Sequence, residues 1–358
     1  MPTIEARVEC PVHDSFKVQQ VSGMFDLPPA KRSEAVFKTE VPDLKDEWRI
    51  GCIVGPSGSG KSTIAQKAFG DHLYRPARWP KDKAVIDCFG DRPVREVVHM
   101  LTAVGFSSPP AWLKPHHVLS NGEKFRCELA RALMGGRELV VFDEFTSVVD
   151  RTVARIGSAA IAKAIRGDHN GTCQRLVAVT CHYDVLEWIE PDWVVDMATC
   201  QLARGCLRRP EVRIEVVRCT REAWPLFRRH HYLSGNLGTA AICYLGLWDR
   251  VPVAFAATMI ALGRRSYRRV SRVVVSPDYQ GIGIGGRFLN AVAAIDAERN
   301  DSKMSITTSH PAMIGHLKRD ANWQCVNVLK TGSSPTGMNK GRCRTSTGRA
   351  VVTFAFKR

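Results

Sequence analysis

The sequence of 358 residues lacks several features that would assign it to a membrane-bound or metal-binding class. It contains no apolar run close to the roughly 18 residues that a membrane-spanning helix needs. Its first residues do not form the charged-then-apolar pattern of a signal peptide. The twelve cysteines include no C-x-x-C pair, so neither a zinc site nor a redox dithiol is predicted. No internal repeat is visible. We therefore expect a cytoplasmic protein without a membrane partner, long enough for two domains.

Positive charge is concentrated in the C-terminal part of the chain. Residues 201–358 contain 26 Lys and Arg against 9 Asp and Glu, a net charge of +17, whereas the first 200 residues have a net charge of −1. A solvated surface would account for a short basic run, but an asymmetry of this size favours a polyanionic partner. We expect the C-terminal part to bind nucleic acid, DNA rather than RNA.

A glycine-rich loop follows an apolar strand predicted over residues 49–54. Residues 55–63 read GPSGSGKST, a complete G-x-x-x-x-G-K-[ST] motif between a strand and a helix, which is typical of a phosphate-binding loop. Backbone N–H groups of such a loop surround a β-phosphate, its lysine reaches the β- and γ-phosphates, and its hydroxyl holds Mg²⁺. The residues predicted to bind nucleotide here are Gly55, Ser57, Gly58, Gly60, Lys61, Ser62 and Thr63.

Two carboxylates end a second apolar strand, LVVF at residues 139–142. Ligands of open α/β sheets lie at the carboxyl ends of the strands, so Asp143 and Glu144 are expected beside the glycine-rich loop. Lys61, Ser62, Asp143 and Glu144 together supply a phosphate grip, magnesium ligands and a carboxylate that orients water. This set is the minimum that ATP hydrolysis requires.

The order of these motifs resembles that of ATP-binding cassette (ABC) ATPases. In chain order they are the loop at 55–63, LSNGE at 119–123, VVFDE at 140–144, SVVD at 147–150 and a strand-end histidine, His182. The resemblance covers residues 15–205 and implies a P-loop α/β fold. It also implies that Asp143 binds Mg²⁺, Glu144 is the catalytic carboxylate, and His182 contacts the γ-phosphate.

The resemblance further implies an ATP-dependent homodimer. In ABC ATPases the LSGGQ-type segment completes the nucleotide site of a second copy, so Ser120 and Gly122 would contact the partner's ATP, and Asp150 would cross to the partner subunit. This sequence departs from the family in two places. Asn121-Gly122-Glu123 stands for Gly-Gly-Gln, and no glutamine stands at the usual Q-loop, where Asp87 or Asp91 is the candidate substitute.

A second glycine-rich turn lies in the basic part of the chain. Residues 271–275 form a predicted strand, residues 280–285 read QGIGIG, and a helix is predicted from 285 to 299. Several free N–H groups at a helix N-terminus suit a pyrophosphate. The spacing differs from the G-x-G-x-x-G of a dinucleotide-binding fold.

The turn at 280–285 resembles motif A of the GCN5-related (GNAT) acetyltransferases, Q/R-x-x-G-x-G/A. The resemblance implies that Gln280, Gly281, Gly283 and Gly285 surround the pyrophosphate of acetyl-CoA, and that a backbone N–H of the preceding strand, at Val275, polarises the carbonyl. The whole chain resembles fusions of an ABC ATPase with a GNAT domain from archaea and phages. FRRHHYLS at 227–234 and SRVVVSPDYQGIGIG at 271–285 also resemble Mom-type phage DNA-modifying acyltransferases.

Acceptor chemistry needs a proton relay and a surface for a nucleobase. Histidine titrates near neutrality and tyrosine can donate a proton to a leaving thiolate. The candidates are His230, His231, Tyr232, Ser309 and His310, with Tyr232 or Trp224 available for stacking on an extruded base. Arg264, Arg265, Arg268 and Arg269 are predicted to form a basic loop that contacts phosphate.

These observations predict an α/β fold in two domains. Residues 1–208 form a P-loop ATPase domain of ABC type, and residues 209–358 form a mixed α+β GNAT-like acyltransferase domain. The leading hypothesis is an acyltransferase that uses ATP, Mg²⁺ and acetyl-CoA or a related acyl-CoA to modify a nucleic-acid base, in phage DNA and hence in the host cytoplasm. One alternative acceptor is tRNA, a protein lysine or an amine. A different hypothesis for the whole protein is a DNA-binding ABC ATPase of the repair or chromosome-structure type, with a non-catalytic basic domain.

Overall fold

The computed structural model describes residues 2–11, 13–25, 32–167, 173–205, 210–231, 237–261, 264–331 and 349–357. In chain order the first elements are β1 (Thr3–Pro11), α1 (Phe16–Met24), β2 (Arg32–Glu40), β3 (Ile50–Val54), α2 (Lys61–Phe69), α3 (Val94–Ala103), α4 (Pro109–Trp112), α5 (Asn121–Leu133), β4 (Leu139–Phe142), α6 (Arg151–Arg166), β5 (Arg175–Thr180), α7 (Leu186–Ile189), β6 (Trp193–Asp196) and β7 (Gln201–Arg204). The remaining elements are β8 (Glu215–Cys219), α8 (Trp224–Arg228), β9 (Ile242–Trp248), β10 (Val251–Ala261), β11 (Arg264–Val275), α9 (Ile284–Arg299), β12 (Lys303–Thr308), α10 (Pro311–Arg319), β13 (Trp323–Thr331) and β14 (Arg349–Phe356).

The chain divides into two compact units. Unit 1 comprises Met1–Pro76, Ala132–Val148 and Ile165–Arg209, and unit 2 comprises Ala77–Arg131, Val149–Ala164 and Pro210–Arg358. Unit 2 thus contains the segments with α3, α4 and most of α5 and α6 together with the basic C-terminal part. Among the described helices, none combines the length and the apolarity that crossing a bilayer requires.

Unit 1 is built on a five-stranded sheet with the order β4-β5-β3-β6-β7. The first four strands are parallel and β7 is antiparallel to β6. Strands β3 and β4 are buried along their whole length, as expected for parallel strands covered on both faces. A separate antiparallel pair, β1 and β2, packs its Ala6 into the same core as Trp48, Ile53 and Trp193. β3 is therefore held rigidly in the middle of the unit, where it supports the loop that follows it.

Unit 2 contains a seven-stranded sheet with the order β13-β14-β12-β11-β10-β9-β8. All neighbouring strands are antiparallel except β11 and β12, which are parallel. Helix α9 connects these two strands, and its apolar residues, including Phe288, Leu289 and Val292, lie in the cores on this sheet. A parallel pair joined by a crossover helix places the α9 N-terminus at the carboxyl end of β11.

The predicted fold class is confirmed, with a P-loop α/β ATPase fold and a mixed α+β GNAT-like fold in the same chain. Short apolar runs at residues 16–18 and 35–37, separated by prolines, predict an antiparallel β region in residues 1–50, and the apolar run at 84–89 predicts a strand. Each prediction is wrong at one place. Phe16–Met24 is a helix rather than part of a β region, because Ser15 caps it by accepting a hydrogen bond from the Val18 N–H at 3.3 Å. The strand predicted over residues 84–89 is a short 3-10 helix at Val85–Cys88. The boundary predicted at residues 208 and 209 stays a prediction.

Candidate functional site

The glycine-rich loop of unit 1 connects β3 to α2. Helix α2 begins at Lys61, and Gly60 precedes it in a left-handed conformation with φ +82°. The Lys61 Nζ donates a hydrogen bond to the Pro56 carbonyl at 2.6 Å, so the lysine folds back over its own loop. The free N–H groups at the start of α2 and the lysine ammonium together form an anion-binding geometry.

Gly60 is sterically required in this loop. A Cβ at this position would lie 2.5 Å from Phe37 Cγ, and the positive φ disfavours any side chain as well. Phe37 belongs to β2 and packs against the unit 1 core. Sequence reasoning did not single out Phe37, because it lies on a strand 23 positions before Gly60 and belongs to no motif.

Ser62 and Asp143 form the contact expected of a magnesium site. The Ser62 hydroxyl donates a hydrogen bond to Asp143 Oδ1 at 3.1 Å, and the same oxygen accepts from the Glu144 N–H at 2.9 Å. A hydroxyl and a carboxylate at this separation are hard oxygen ligands, which Mg²⁺ prefers alongside phosphate oxygens and water. The two residues therefore fit the metal that the sequence predicts for them.

Glu144 and His182 follow neighbouring parallel strands. Phe142 on β4 is level with Ala178 on β5, and Val54 on β3 is level with Thr180, so the ends of the three strands lie along one edge. The exposed Glu144 has φ +52°, an uncommon conformation for a non-glycine residue and one that is enriched at active sites. The His182 N–H donates to Thr180 Oγ1 at 3.1 Å. This edge of unit 1 brings together the loop, Asp143, Glu144 and His182.

The LSNGE segment of unit 2 forms a capping box at the start of α5. The Glu123 N–H donates to Ser120 Oγ at 3.3 Å, and the Ser120 N–H donates to Glu123 Oε2 at 2.9 Å. This reciprocal pair satisfies two backbone donors at the helix N-terminus. Gly122 is buried, and a Cβ there would lie 3.1 Å from Val153 of α6. The spacing S-x-x-E is the signal from which sequence reasoning could have predicted the box.

Asp150 caps α6. Its Oδ1 accepts a hydrogen bond from the Val153 N–H at 3.0 Å, and its carbonyl accepts from the Ala154 N–H at 2.9 Å. The carboxylate is thus placed at a helix N-terminus, where the helix dipole favours negative charge. Its contact with a partner subunit stays a prediction, as does the Q-loop role of Asp87 or Asp91.

The glycine-rich turn of unit 2 follows β11 and leads into α9. The Gln280 side chain spans two segments: Nε2 donates to the Val275 carbonyl at 2.8 Å, and Oε1 accepts from the Ser107 N–H at 2.7 Å. Gly281 and Gly283 have φ +94° and +93°. The backbone N–H groups at the start of α9 therefore follow a turn in which two hydrogen bonds fix the Gln280 side chain.

The three glycines of the turn have different surroundings. A Cβ at Gly281 would lie 2.6 Å from Ala160 Cβ, one at Gly285 would lie 3.3 Å from Val275, and one at Gly283 would meet only Lys163 Nζ at 4.0 Å. The exposed Gly283 therefore faces open space beside an ammonium group. An anion at the start of α9 would be accommodated there.

Strands β11 and β12 separate next to this turn. They pair only from Tyr267–Lys303 to Val270–Ile306, although β11 continues to Val275 and β12 to Thr308. Within the described residues, no strand pairs with β11 beyond Val270 on the edge that faces β12. The gap is a place where an extended ligand can pair with exposed backbone groups.

Two candidate histidines, His230 and His310, are partly buried. Burial lowers the pKa of His230, and the Arg229 guanidinium lowers it further, while Glu123 and Asp278 act in the opposite direction. Burial also lowers the pKa of His310, against a hydrogen bond with the Ser107 backbone. Both imidazoles are thereby shifted toward the neutral form that a general base requires.

The remaining acceptor candidates are placed in part. The centres of the His231 and Trp224 rings are 5.8 Å apart, in an edge-to-face contact. The centres of the His310 and Trp112 rings are 6.2 Å apart. Trp224 is buried, so it packs in the core and does not offer a stacking face. Tyr232 lies outside the described residues.

The predicted basic loop is a strand. Arg264–Val275 is β11, and Arg268 is 6% exposed with its Nε donating to Asp296 Oδ2 at 2.7 Å. The prediction that Arg268 contacts phosphate is therefore wrong, because this guanidinium neutralises a buried carboxylate. Arg269 is exposed on the same strand. The alternation of a strand puts these two neighbours on opposite faces of the sheet.

Comparison with known proteins gives partial matches. No protein-family model matches the chain. The putative ATP-binding protein YdiF of Bacillus subtilis (strain 168) is 27% identical over 147 residues, which are 35% of this chain and 23% of that protein. The chain therefore spans about a quarter of the length of this curated relative.

Solved structures of two kinds each match a part of the chain. The ATP-binding cassette MJ0796, in a dimeric post-hydrolysis state bound to ADP and Pi, is 15% identical with a TM-score of 0.37 and covers 49% of this chain and 93% of its own. The ribosomal-protein-S18-alanine N-acetyltransferase from Escherichia coli is 15% identical with a TM-score of 0.32 and covers 40% of this chain and 93% of its own. The chain is thus similar in part to ABC cassettes and in part to acetyltransferases.

Proposed function

We propose that the chain is an ATP-dependent acyltransferase that transfers an acyl group from acyl-CoA to a base of a nucleic acid, as in the hypermodification of phage DNA. The observation that carries this proposal is the gap between β11 and β12, which opens beside the Gln280–Gly285 turn and the α9 N-terminus. Donor groups for a pyrophosphate lie in unit 2 next to the part of β11 beyond Val270, where β12 has separated and an extended pantetheine arm would fit.

The acyl-CoA donor, when bound, supplies an activated thioester. Gly283 and Gly285 leave room for its pyrophosphate at the α9 N-terminus, and the Val275 N–H is the candidate donor to the thioester carbonyl. In the transfer an amino nitrogen of the acceptor forms a bond to the acyl carbon, and the carbon–sulfur bond breaks. A neutral histidine, His231 or His310, takes the proton from the amine, and the CoA thiolate leaves and is protonated, with Tyr232 as the candidate donor.

The ATPase edge of unit 1 is proposed to bind and hydrolyse ATP. Lys61 and the loop would hold the phosphates, Ser62 and Asp143 would hold Mg²⁺, and Glu144 would orient the attacking water, with His182 near the γ-phosphate. The Ser62–Asp143 hydrogen bond at 3.1 Å supports this assignment. We infer that ATP joins two copies through Ser120, Gly122 and Asp150, which brings two basic acyltransferase domains together.

Nucleoside mass spectrometry of cells that express the chain tests the acceptor. DNA and tRNA are digested separately, and an acylated nucleoside is expected in DNA. A Gly285→Glu variant should abolish the product, because it places bulk and negative charge where the pyrophosphate binds. Gly315→Glu on α10 is the matched control, since a Cβ there meets only the end of the Arg319 side chain at 3.8 Å.

The alternative functions predict different results in nucleoside analysis, ATP hydrolysis and acetyl-CoA binding. An acylated nucleoside in tRNA alone, or acylated protein or amine with unmodified nucleic acid, would move the acceptor to that class. DNA-stimulated ATP hydrolysis without acetyl-CoA binding by calorimetry would instead favour a DNA-binding ATPase with a non-catalytic basic domain. Acylated DNA that persists in the Gly285→Glu variant would refute the proposed donor site.

A further inference from the structure

The turn proposed to bind acyl-CoA is packed against residues 105–107 and against α6, which lie outside the C-terminal part of unit 2. Ser107 donates to Gln280, a Cβ at Gly105 would lie 2.8 Å from the Gln280 carbonyl, and Ala160 closes over Gly281. All these residues belong to unit 2. The Ser107–Gln280 hydrogen bond joins positions 173 apart in sequence. The turn is therefore shaped by the residues that precede α5 and by α6, as well as by its own glycines.

Arg126 completes this contact and reaches back to the LSNGE segment. Its Nη2 donates to the Asp278 carbonyl at 3.3 Å, and its Nη1 lies 3.5 Å from the position of a Cβ at Gly122. The residue is fully buried, with 0% exposure. One guanidinium thus lies beside Gly122 of the LSNGE segment and donates to the residue two positions before Gln280.

The guanidinium is incompletely paired. Nη1 is 4.0 Å from Asp278 Oδ1, and neither Nε nor Nη1 has a hydrogen-bond partner among the described residues. Buried donors without partners are costly, so an arrangement in which Asp278 moves about 1 Å closer would gain a charge-assisted hydrogen bond. A small displacement of the turn would therefore change how Arg126 and Asp278 pair.

We infer that Arg126 is a positioning residue for the acyl-CoA turn, and that through it nucleotide bound at the LSNGE segment changes the affinity for acyl-CoA. The inference rests on the proposed function, and it names the regulation of that site. A ligand that shifts the start of α5 alters the contact of Arg126 with Asp278, and the locked Gln280 transmits the shift to the N–H groups of the turn. Coupling of this kind is reciprocal, so acyl-CoA must change the affinity for nucleotide by the same factor.

Calorimetry on the full chain measures the coupling directly. The Kd of acetyl-CoA is determined with and without a saturating non-hydrolysable ATP analogue and Mg²⁺, and the Kd of the analogue with and without acetyl-CoA. We expect each Kd to change by the same factor, about 5-fold or more. In Arg126→Met this ratio should fall toward one, while each ligand alone still binds.

The substitution and its control are chosen to keep the protein folded. Asp278 has a side chain that is 54% exposed, so Arg126→Met leaves no buried charge without compensation, and methionine fills the volume of the aliphatic stem. Arg131→Met on the same helix is the matched control, because its guanidinium contacts the Ala77 carbonyl and the Trp79 ring instead of the turn. Asp278→Asn is a second variant and should also weaken the coupling.

Each outcome decides the inference. Equal ratios in Arg126→Met and in the unmodified chain would exclude Arg126 as the positioning residue. Binding of both ligands with no mutual effect in the unmodified chain would overturn the coupling while leaving the proposed function intact. No binding of acetyl-CoA in any condition would refute the donor site itself and the inference with it. If Arg126→Met does not fold, the ratio of Kd values in the unmodified chain and in Asp278→Asn still tests the coupling.

Discussion

The ion pair between Asp296 and Arg268 holds α9 against the sheet of unit 2, and its removal should destabilise that unit strongly. Asp296 is 0% exposed. Its Oδ2 accepts from Arg268 Nε at 2.7 Å, and its Oδ1 accepts from the Tyr244 hydroxyl at 2.7 Å and from Thr258 Oγ1 at 3.2 Å. Burial and the neighbouring Asp296 raise the pKa of Tyr244, so the phenol stays protonated and donates. Three side chains, one each from β9, β10 and β11, therefore donate to one carboxylate of α9.

Asp296→Asn keeps the shape of the side chain but removes its charge. The variant leaves the Arg268 guanidinium buried and uncompensated, and breaking a buried pair in this way costs about 3–5 kcal/mol. With an m-value of roughly 2–3 kcal/mol/M in urea, the midpoint of unfolding should fall by about 1–2.5 M. Urea denaturation followed by circular dichroism measures the shift. Glu298→Gln on the same helix is the control, because Glu298 is exposed and its substitution should shift the midpoint little.

The double variant distinguishes an uncompensated charge from lost packing. Asp296→Leu combined with Arg268→Met removes both charges, and it should be less destabilising than Asp296→Leu alone. A midpoint for Asp296→Asn within about 0.3 M of the unmodified chain, which corresponds to less than about 1 kcal/mol, would refute the assigned importance of the pair.

Three further perturbations address the two candidate sites. Glu144→Gln should lower ATP hydrolysis by about 10²–10⁴-fold while ATP still binds, and phosphate release together with sedimentation of the ATP-bound protein checks both the rate and the expected dimer. Lys163→Met should raise the Kd of acetyl-CoA by about 2–5-fold, because the Lys163 ammonium lies beside Gly283. Lys318→Met on α10 is the control. An unchanged Kd by calorimetry in Lys163→Met would exclude a contact between Lys163 and the ligand. Because the pKa of His310 is lowered by burial, the unfolded chain binds its proton first as the pH falls, so stability is full above pH ~6.5 and declines below it. His310→Asn should reduce that decline, measured as the difference between urea midpoints at pH 7.5 and 5.5, and an equal decline in both proteins would contradict the assignment.

Motifs with strict spacing could be predicted from the sequence, and elements without such constraints could not. The loop at 55–63 and the β3–α2 arrangement around it were predictable because glycine, lysine and hydroxyl positions are fixed by phosphate geometry. Helix α1 was not predicted, because its apolar residues are exposed and do not show a helical period. The capping Ser15 was the available signal. The 3-10 helix at Val85–Cys88 has the composition of a strand but is too short to show which structure it forms.

The long-range contacts of a site residue are the feature that is hardest to predict from the sequence. Arg268 belongs to a basic run, and only its position on the inner face of β11 reveals that it pairs with Asp296. The contact of Gln280 with Ser107 is equally hidden, because it depends on tertiary packing between positions 173 apart. Local sequence reports propensity and spacing, whereas burial and long-range pairing are properties of the folded chain.

The glycines of the unit 2 turn illustrate this limit, because one motif contains residues of different function. Gly281 is required by packing, since Gly105 and Ala160 approach it so closely that a Cβ has no space. Gly283 has no such neighbour, and it combines a left-handed φ with open space where a Cβ would lie. A substitution at Gly281 would therefore act by separating the turn from α6, and a substitution at Gly283 would act on the ligand. We therefore expect the residues from Gly283 onward to bind the anion. Gln280 and Gly281, the first half of the motif, instead pack the turn against the segments that contain Arg126 and Ala160.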